Sequence, residues 1–403
     1  MEYFDLSAWI FINASYGYHH RHRLHTLLDR VLSRSESEQD FLGSCGFYQT
    51  EQKKDQEASE SPEVERNGRC ILFETSLEDD RIVYHQLQSF DTPAILDQRW
   101  FVPHLFAVQP PSSSDRIFSI RTQDPQQPIL ITADALGGLT SYKLSLPIIH
   151  SFACCPPEES TLCLSLDISD KKYRASTAKI VCSLSNGQIV LLTQHPTTMN
   201  EEHRWNAHQF EPWTCGFDYW QPETILTGGD DCKLKVWDTR NSFVQPVLTN
   251  KQFDGGVTAI RSHHLREHLF AVGSYDSNLR IFDKRNFTNP VMKEECGGGI
   301  WRIKWDEVNP ERVLLATMHG GFKVLQISDN EPYQSSEVGE EKSPRYPTLN
   351  ASVISSFSHR SDLAYGADWA PKISSSVNSS SPHPSLVAGC SFYDRAIHFW
   401  TLD

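Results

Sequence analysis

Two segments of this chain repeat the same pattern of strand, polar turn and strand, 45 residues apart. The first runs from Leu226 to Arg240 and reads LTGGDDCKLKVWDTR, and the second runs from Ala271 to Arg285 and reads AVGSYDSNLRIFDKR. Gly, Asp and Asn lie between the two halves of each segment, where they favour tight turns. One such unit cannot bury its own apolar face, so a repeat of this length predicts a stack or ring of small sheets.

Weaker copies of the pattern extend it over most of the chain. They occupy 132–142, 182–192, 315–325 and 387–400, with a first copy at 41–48 and 70–77. The candidate inner strands are 95–101, 161–168, 214–219, 257–262, 301–305 and 365–369. The period and the aromatic–Asp endings are typical of WD repeats. We therefore predict an all-β fold, a seven-bladed WD-repeat β-propeller.

The predicted ring has one domain and a separate leader. Residues 1–40 are expected to be a divergent N-terminal leader, and residues 41–403 the propeller. The C-terminal strand at 399–402 is expected to pair beside N-terminal strands, because a closed ring leaves no sheet edge exposed. Polar, Ser- and Glu-rich stretches near 51–67, 329–350 and 372–384 are predicted to be flexible insertions.

Composition narrows the possible partners. The net charge of −14 argues against a general nucleic-acid or anionic-membrane binder, which would need a basic face. The ten cysteines include no CxxC pair and no zinc-ligand spacing, so we expect reduced thiols, no metal, no cofactor and a cytoplasmic protein. No apolar run is long enough to cross a membrane, and a closed ring has no evident need to oligomerise, so a monomer is expected.

One repeat carries a set of polar residues that can satisfy one another in the core. His208, Thr227, Asp231 and Trp237 have the spacing of the hydrogen-bonded network that WD repeats bury beneath their turns. A buried polar group needs a partner, and this set provides one for each member. We predict a structural role for these four residues.

The predicted topology gathers a different set of residues on one face. The turns of the repeats and the loops before the inner strands emerge there together, bringing aromatic rings close to carboxylates. The residues predicted to bind substrate on this face are Trp213, Trp301, Tyr365, Asp368, Tyr393 and Asp394. Aromatic rings interleaved with carboxylates suit a quaternary ammonium, each cation–π contact contributing roughly 0.5–2 kcal/mol.

Several longer strings occur together and carry a family resemblance. They are AHQFEPW at 207–213, GGDD at 228–231, WDTR at 237–240, GSYD at 273–276, GGGIWRIKW at 297–305, MHGGFKVL at 318–325, LAYGADW at 363–369 and CSFYD at 390–394. The set resembles the eukaryotic diphthine methylesterase family, WD-repeat proteins of diphthamide biosynthesis. The resemblance implies hydrolysis of the methyl ester of diphthine, a modified histidine that carries a trimethylammonium group, on translation elongation factor two.

Ester hydrolysis needs a nucleophile, a base and hydrogen-bond donors for the developing oxyanion. His319 lies where other repeats have Asp, and we hypothesise that it acts as general base, oriented by Asp276. The nucleophile would be a water molecule or a nearby side chain, for which Ser274, Ser391 and Cys390 are the candidates.

Two other functions remain open from the sequence. The WDTR string ending at Arg240, and FDKR ending at Arg285, match the WDxR pattern of substrate receptors in cullin ubiquitin ligases. In a non-enzymatic adaptor these arginines would face a partner, whereas in an ordinary repeat each would pair with a carboxylate of its own blade. The other alternative is an assembly factor for the translation machinery that has no enzymatic activity.

Overall fold

The structure of this chain is a computed structural model. It describes residues 11–14, 41–52, 64–78, 81–101, 129–143, 146–153, 160–169, 178–194, 198–307, 309–329, 348–358, 363–369, 385–392 and 396–402. Within these ranges the regular structure consists of strands, and they contain no helix. No segment of the described part is therefore a helix long and apolar enough to cross a membrane.

The strands form seven antiparallel sheets in chain order. The first contains β1 (Phe11–Ala14), β2 (Phe41–Gln52), β3 (Val64–Glu78) and β4 (Arg81–Pro93). The second contains β5 (Ile95–Phe101), β6 (Ile129–Asp134), β7 (Gly138–Lys143) and β8 (Leu146–Ala153). The third contains β9 (Cys163–Ile168), β10 (Ala178–Leu184), β11 (Gln188–Gln194) and β12 (Met199–Asn206).

The fourth sheet contains β13 (Thr214–Phe217), β14 (Thr224–Gly228), β15 (Leu234–Asp238) and β16 (Leu248–Asn250). The fifth contains β17 (Val257–Ser262), β18 (Leu269–Ser274), β19 (Asn278–Asp283) and β20 (Met292–Glu295). The sixth contains β21 (Arg302–Trp305), β22 (Arg312–Ala316), β23 (Phe322–Asp329) and β24 (Leu349–Phe357). The seventh contains β25 (Ala364–Trp369), β26 (Ser385–Ser391) and β27 (Ile397–Leu402).

The two sequence repeats form matching hairpins. The turn between β14 and β15 has Cys232 at a φ of 57°, and the turn between β18 and β19 has Ser277 at a φ of 64°. These positions are equivalent in the repeat. Left-handed backbone is uncommon for residues other than Gly, and in one of the two turns a side-chain carboxylate supports it. In the second turn the Asn278 N–H donates to Asp276 at 3.1 Å.

The core lies between neighbouring sheets. Leu226 of β14 belongs to the same buried cluster as Ile260 of β17 and Phe270 of β18, and all three are at most 2% exposed. The first strand of each sheet contacts the first strands of the two adjacent sheets, including β1 with β25 and β5. The seven sheets therefore surround a common axis, and their first strands are the inner strands of a propeller.

The predicted β-propeller class is confirmed, but the blade count needs a correction. Six sheets have the four strands of a complete blade, and the seventh has three, so the structure describes six complete blades rather than seven. The expected closure by the C-terminal strand is also wrong within the described residues. Strand β27 pairs with β26, whereas the N-terminal β1 pairs with β2. Because β1 serves as the inner strand of the first sheet, it is not available to extend the last one.

The predicted domain boundaries remain predictions. Strand β1 lies inside the segment expected to be a leader, and it joins the first sheet. Of the three predicted insertions, residues 53–63, 330–347 and 372–384 lie outside the described residues. The seven cysteines whose side chains are described form no disulfide with one another.

Candidate functional site

Backbone hydrogen bonds bring the turns of the sheets and the loops before the inner strands to one face. The Asp230 N–H of the β14–β15 turn donates to Glu211 O at 2.9 Å, and the Tyr275 N–H donates to Gly256 O at 2.9 Å. The Met318 N–H donates to Ala364 O at 3.2 Å. We call this side of the ring the turn face.

An aromatic cluster lies on the turn face. It consists of Trp213, Tyr275, Trp301, Tyr365 and Phe392. Trp301 is at its centre, with ring centroids 4.8 Å from Tyr365, 5.8 Å from Trp213 and 5.9 Å from Tyr275. Phe392 lies 5.7 Å from Tyr365. The structure therefore brings together three of the four aromatic residues predicted to bind substrate, and adds Tyr275 and Phe392.

Only part of the cluster is open to solvent. Tyr275 is 37% exposed and Trp213 is half-buried, whereas Trp301 and Tyr365 are buried. Burial raises the pKa of the Tyr275 phenol to about 12, and the nearby Asp230 carboxylate contributes to the same shift. The phenol is therefore neutral at ordinary pH. Because Trp301 and Tyr365 are buried, the accessible part of the cluster is the edge formed by Trp213 and Tyr275.

A carboxylate lies beside the accessible edge. The indole Nε1–H of Trp213 donates to Asp230 Oδ1 at 3.0 Å, which fixes the ring relative to the β14–β15 turn. Two aromatic rings next to a carboxylate can bind an organic cation by cation–π and Coulomb attraction. The prediction from sequence did not include Asp230, although it directly precedes the Asp231 of the buried network.

The hypothesised catalytic pair is not joined in the structure. His319 is exposed on the β22–β23 turn and has no hydrogen bond or ion pair among the described residues. The Asp276 carboxylate instead accepts two hydrogen bonds from Arg280, at 2.9 and 2.7 Å. Burial favours a higher pKa for Asp276, but the hydrogen bonds from Arg280 outweigh it and lower the pKa to about 2.

The candidate side-chain nucleophiles are all buried. Cys390 is fully buried and packs in the cluster that contains Phe73, and Ser391 is 2% exposed. Ser274 is also buried, and its hydroxyl donates to Gly255 O at 3.0 Å and accepts from the Asp276 N–H at 3.2 Å. None of these three groups is presented to the turn face as a nucleophile.

The remaining residues that were predicted to bind substrate are not part of the aromatic cluster. Asp368 lies on inner strand β25, and its carboxylate is 2.7 Å from the Lys304 ammonium on β21. It therefore faces a neighbouring sheet rather than the turn face. Tyr393 and Asp394 lie outside the described residues.

Sequence reasoning missed a set of charged residues on the inner strands. Asp97 and Arg99 are two residues apart on β5, and Arg302 and Lys304 are two residues apart on β21. Residues two apart on a strand point to the same side. Both strands had been predicted as inner strands of the propeller. The spacing could therefore have indicated that their charged side chains face one another across the propeller axis.

The four residues assigned to a structural network form one hydrogen-bond chain. His208 Nδ1 lies 2.8 Å from Asp231 Oδ1, and its Nε2 lies 2.8 Å from Thr227 Oγ1. The Trp237 indole donates to the same hydroxyl at 2.9 Å. Burial lowers the pKa of His208, while the bond to Asp231 opposes that shift. The neutral imidazole thus bridges a carboxylate and a hydroxyl in the core.

The arginines of the WDxR strings pair within their own blades. Arg240 donates to Asp238 at 2.8 and 2.7 Å, and Arg285 binds Asp283 in the same way. Their side chains are nevertheless 59% and 50% exposed. Within the described ranges, no group of three or more His, Cys, Asp or Glu residues is placed to hold a metal ion.

Comparisons with known proteins agree with this fold. The profile of the WD domain, G-beta repeat, matches residues 200–238, the segment that carries the His208 network. One chain in the crystal structure of a mitotic checkpoint complex superimposes with a TM-score of 0.54 at 12% identity, covering 83% of this chain and 87% of that one. At this identity the likeness concerns the fold alone. The chain is a WD-repeat β-propeller protein.

Two relatives are similar over most of the chain. The mouse protein named diphthine methyltransferase is 34% identical over 334 residues, which cover 81% of this chain and 64% of the mouse protein. The human protein of the same name is 33% identical over 350 residues, which cover 81% of this chain and 69% of the human protein. This chain belongs to the diphthine methyltransferase family. It spans about two thirds of the length of these relatives, whose names describe a methyltransferase rather than a methylesterase.

Proposed function

We propose that this protein acts in diphthamide biosynthesis by hydrolysing the methyl ester of diphthine on translation elongation factor two. Water attacks the ester carbonyl, methanol leaves, and a carboxylate remains on the modified histidine. The observation that carries the proposal is the aromatic cluster beside Asp230 on the turn face, in a chain of the diphthine methyltransferase family.

Recognition of the substrate would begin with its trimethylammonium group. This cation has no N–H to donate, so it binds best to aromatic faces and a nearby carboxylate. Trp213 and Tyr275 supply the accessible rings, and Asp230 supplies the negative charge. The rings are already in contact at 6.3 Å, so little side-chain ordering is needed when the ligand binds.

Water is the nucleophile that best fits the site. The candidate hydroxyls and the Cys390 thiol are buried, whereas His319 is exposed on the same face as the aromatic cluster. The ring nitrogen of a neutral imidazole can accept a proton from water. We therefore propose His319 as the general base, without Asp276 as its orienting partner.

The direct test is mass spectrometry of elongation factor two that carries methylated diphthine, before and after incubation with the purified chain in ¹⁸O-labelled water. Catalytic loss of one methyl group, release of methanol and one labelled oxygen in the new carboxylate are expected. Gain of a methyl group, or loss without oxygen exchange from water, would contradict ester hydrolysis.

The role of His319 is tested by His319→Ala with His203→Ala as the matched control. Both histidines are exposed, but His203 lies on β12, the outermost strand of its sheet, where its ring contacts Phe243 at a tilted angle. His319→Ala is expected to lower kcat by about 10²–10⁴-fold, the usual contribution of a general base. An unchanged kcat for His319→Ala would rule out this role. A loss of the same size in His203→Ala would show that the effect is not specific to His319.

We further propose that the protein works as a cytoplasmic monomer. A substrate on the translation machinery agrees with that compartment, as does the lack of disulfides among the described cysteines. Size-exclusion chromatography with light scattering and imaging of a tagged chain test these two points.

The adaptor function has one observation in its favour, the exposure of Arg240 despite its pairing with Asp238. Pull-down of a cullin-ligase adaptor that is lost in Arg240→Ala, together with no ester turnover, would favour it. Turnover of the ester with no such pull-down would exclude it.

A further inference from the structure

Three aromatic side chains reach solvent along the part of the turn face that the fourth and fifth sheets form. Phe210, in the loop before β13, is 59% exposed, and Trp213 and Tyr275 form the accessible edge of the aromatic cluster. Together with the neighbouring carboxylates they form a strip that we call the docking edge. It consists of Phe210, Glu211, Trp213, Asp230, Asp254 and Tyr275. All six belong to residues 198–307, which the structure describes without a gap.

Backbone contacts hold the loops of the docking edge together. The Asp230 N–H donates to Glu211 O, and Asp230 Oδ1 accepts from the Trp213 indole. A Cβ atom on Gly256 would lie 2.7 Å from Asp230 Oδ1 and 3.2 Å from Tyr275 Cδ2, so the backbone of that loop passes directly beside both side chains. Aromatic rings and carboxylates are therefore interleaved along a strip whose shape is set before any ligand binds.

The loops that form the docking edge carry an excess of negative charge. Five carboxylates and two lysines occupy them, at 207–213, 229–233, 251–256 and 275–277. The ammonium of Lys233 lies 3.7 Å from the buried Asp231 carboxylate. Asp276 is paired with Arg280. In these loops Lys251 is thus the remaining cation, against three remaining carboxylates.

The three remaining carboxylates are available to a partner. Glu211, Asp230 and Asp254 form no ion pair with any residue in the described ranges. Their negative potential extends to Cys232 in the β14–β15 turn. Burial raises the pKa of this thiol, and four aspartates, including Asp230 and Asp254, raise it further. The surface beside the exposed rings therefore favours a cationic partner and disfavours nucleic acid.

We propose that the docking edge binds a basic, arginine-containing segment of a partner protein. A guanidinium can stack on an aromatic ring while it donates hydrogen bonds to a carboxylate, so interleaved rings and carboxylates match arginine better than lysine. The strip is continuous with the proposed ammonium site, because Trp213, Asp230 and Tyr275 belong to both. The segment is therefore the one that flanks the modified histidine of the protein substrate, and in this identification the inference rests on the proposed function.

Binding of simple peptides tests the docking edge without any turnover. Fluorescence anisotropy compares the affinities of the full chain for a labelled Arg–Gly repeat peptide and for a Lys–Gly repeat of the same length and charge. The arginine peptide is expected to bind at least about twofold more tightly, because only the guanidinium is planar and stacks on the rings. Its affinity should fall as the salt concentration rises, since exposed charges are screened. No binding of the arginine peptide, or equal affinities of the two peptides, would overturn the proposal.

Asp254→Lys tests the place of binding, with Glu223→Lys as the matched control. Glu223 is also exposed, but it lies in the loop between β13 and β14, at the opposite end of the strands from the turn face. Both variants change the net charge by the same amount. Asp254→Lys is expected to weaken binding of the arginine peptide at least about threefold, and Glu223→Lys to leave it nearly unchanged. Losses of the same size would show that the peptide responds to total charge, and would overturn the proposal.

Phe210→Ser tests the exposed ring, with Val244→Ser as its control. Val244 is 84% exposed and lies in the loop between β15 and β16, away from the turn face. Phe210→Ser is expected to weaken binding of the arginine peptide about two- to fivefold, and Val244→Ser to leave it unchanged. An unchanged affinity in Phe210→Ser would overturn the role of this ring. Circular dichroism and thermal unfolding establish that each variant is folded.

Kinetics with the protein substrate connect the docking edge to the proposed function. Asp254→Lys is expected to raise KM for methylated elongation factor two at least about threefold without lowering kcat, whereas Glu223→Lys should change neither. Ester turnover with an unchanged KM in Asp254→Lys would overturn docking of the substrate at this edge. Binding of the arginine peptide without any ester turnover would keep the docking edge and reject only the hydrolysis.

Discussion

Arg280 donates two hydrogen bonds to the carboxylate of Asp276, and the two side chains are 2% and 4% exposed. The pair lies on one blade, four residues apart, and the Arg280 guanidinium also lies 4.6 Å from the centre of the Phe253 ring. Asp276 also binds the backbone N–H of Asp254, which connects the turn to the loop before β17. The pair therefore fixes the position of Tyr275 on the turn face.

Removal of one partner of this pair should destabilise the fold. Arg280→Met leaves a buried carboxylate without its counter-ion, a change that typically costs about 3–5 kcal/mol. The expected result is a lower free energy of unfolding in urea. The double variant Asp276→Asn/Arg280→Met should recover part of the loss, because no unpaired charge remains. A single variant as stable as the unmodified chain would contradict the buried pairing.

His263 should make stability depend on pH. Its Nε2 lies 2.9 Å from Pro310 O, and its Nδ1 accepts from the Leu265 and Arg266 N–H groups at 3.0 Å each. Nδ1 is thus committed as an acceptor and cannot take up a proton without losing these bonds. Burial lowers the pKa of His263 to about 4, although the bond to Pro310 opposes the shift.

The sign of this effect follows from proton linkage. The unfolded chain binds a proton at His263 near pH 6.5, whereas the folded chain does so only near pH 4. Stability is therefore complete above about pH 6.5 and is lost by up to roughly 3 kcal/mol as the pH falls to about 4. The free energy of unfolding, measured over this range, should decline less steeply in His263→Gln. Parallel curves for the two proteins would contradict the prediction.

Gly273 is a position where adjacent sheets approach closely. A Cβ atom there would lie 2.5 Å from Ile300 Cγ2, which belongs to the loop before β21. Gly273→Ala is expected to cost about 1–3 kcal/mol by overpacking. In the double variant with Ile300→Ala the nearest atom, Cγ2, is removed, although the Cβ of residue 300 at 2.8 Å remains. The clash is partly relieved, so the destabilisation of the double variant should be less than the sum of the two single variants. Additive losses in thermal or urea unfolding would argue against this contact.

The accessible edge of the aromatic cluster should determine substrate affinity. Tyr275→Ala removes one ring of the proposed ammonium site and is expected to raise KM about 2- to 30-fold, corresponding to about 0.5–2 kcal/mol. Tyr275→Phe keeps the ring and should keep KM. Steady-state kinetics with methylated elongation factor two measures both variants. A large rise of KM in Tyr275→Phe would indicate that the hydroxyl, rather than the ring, contacts substrate.

The sequence predicted local features well where one repeat encodes them. The 45-residue offset predicted the hairpins around Cys232 and Ser277, and the spacing of His208, Asp231 and Trp237 matched the hydrogen-bond chain that forms. Both features depend on residues within one sheet, where alternation and turn chemistry determine which side chains meet.

Contacts between different parts of the ring were not predictable in the same way. The pairing of Asp368 with Lys304 joins two sheets, and it depends on the register at which two inner strands face each other. Asp276 was assigned to His319, but Arg280, four residues along its own hairpin, is the partner. Strand β1 was missed because the repeat pattern is absent from its sequence.

Every sheet described here is built from consecutive strands of one uninterrupted stretch of sequence, and β27 pairs with β26 rather than with an N-terminal strand. In the described residues the first and last sheets therefore meet by side-chain packing, as in the edge-on contact of Phe73 with Phe399, whose ring centroids are 5.8 Å apart. Among the residues that the structure describes, this junction is a seam in which the two sheets share no backbone hydrogen bond. A circular permutant that joins the present ends by a linker and opens between β16 and β17 would preserve every strand pairing and relocate the seam.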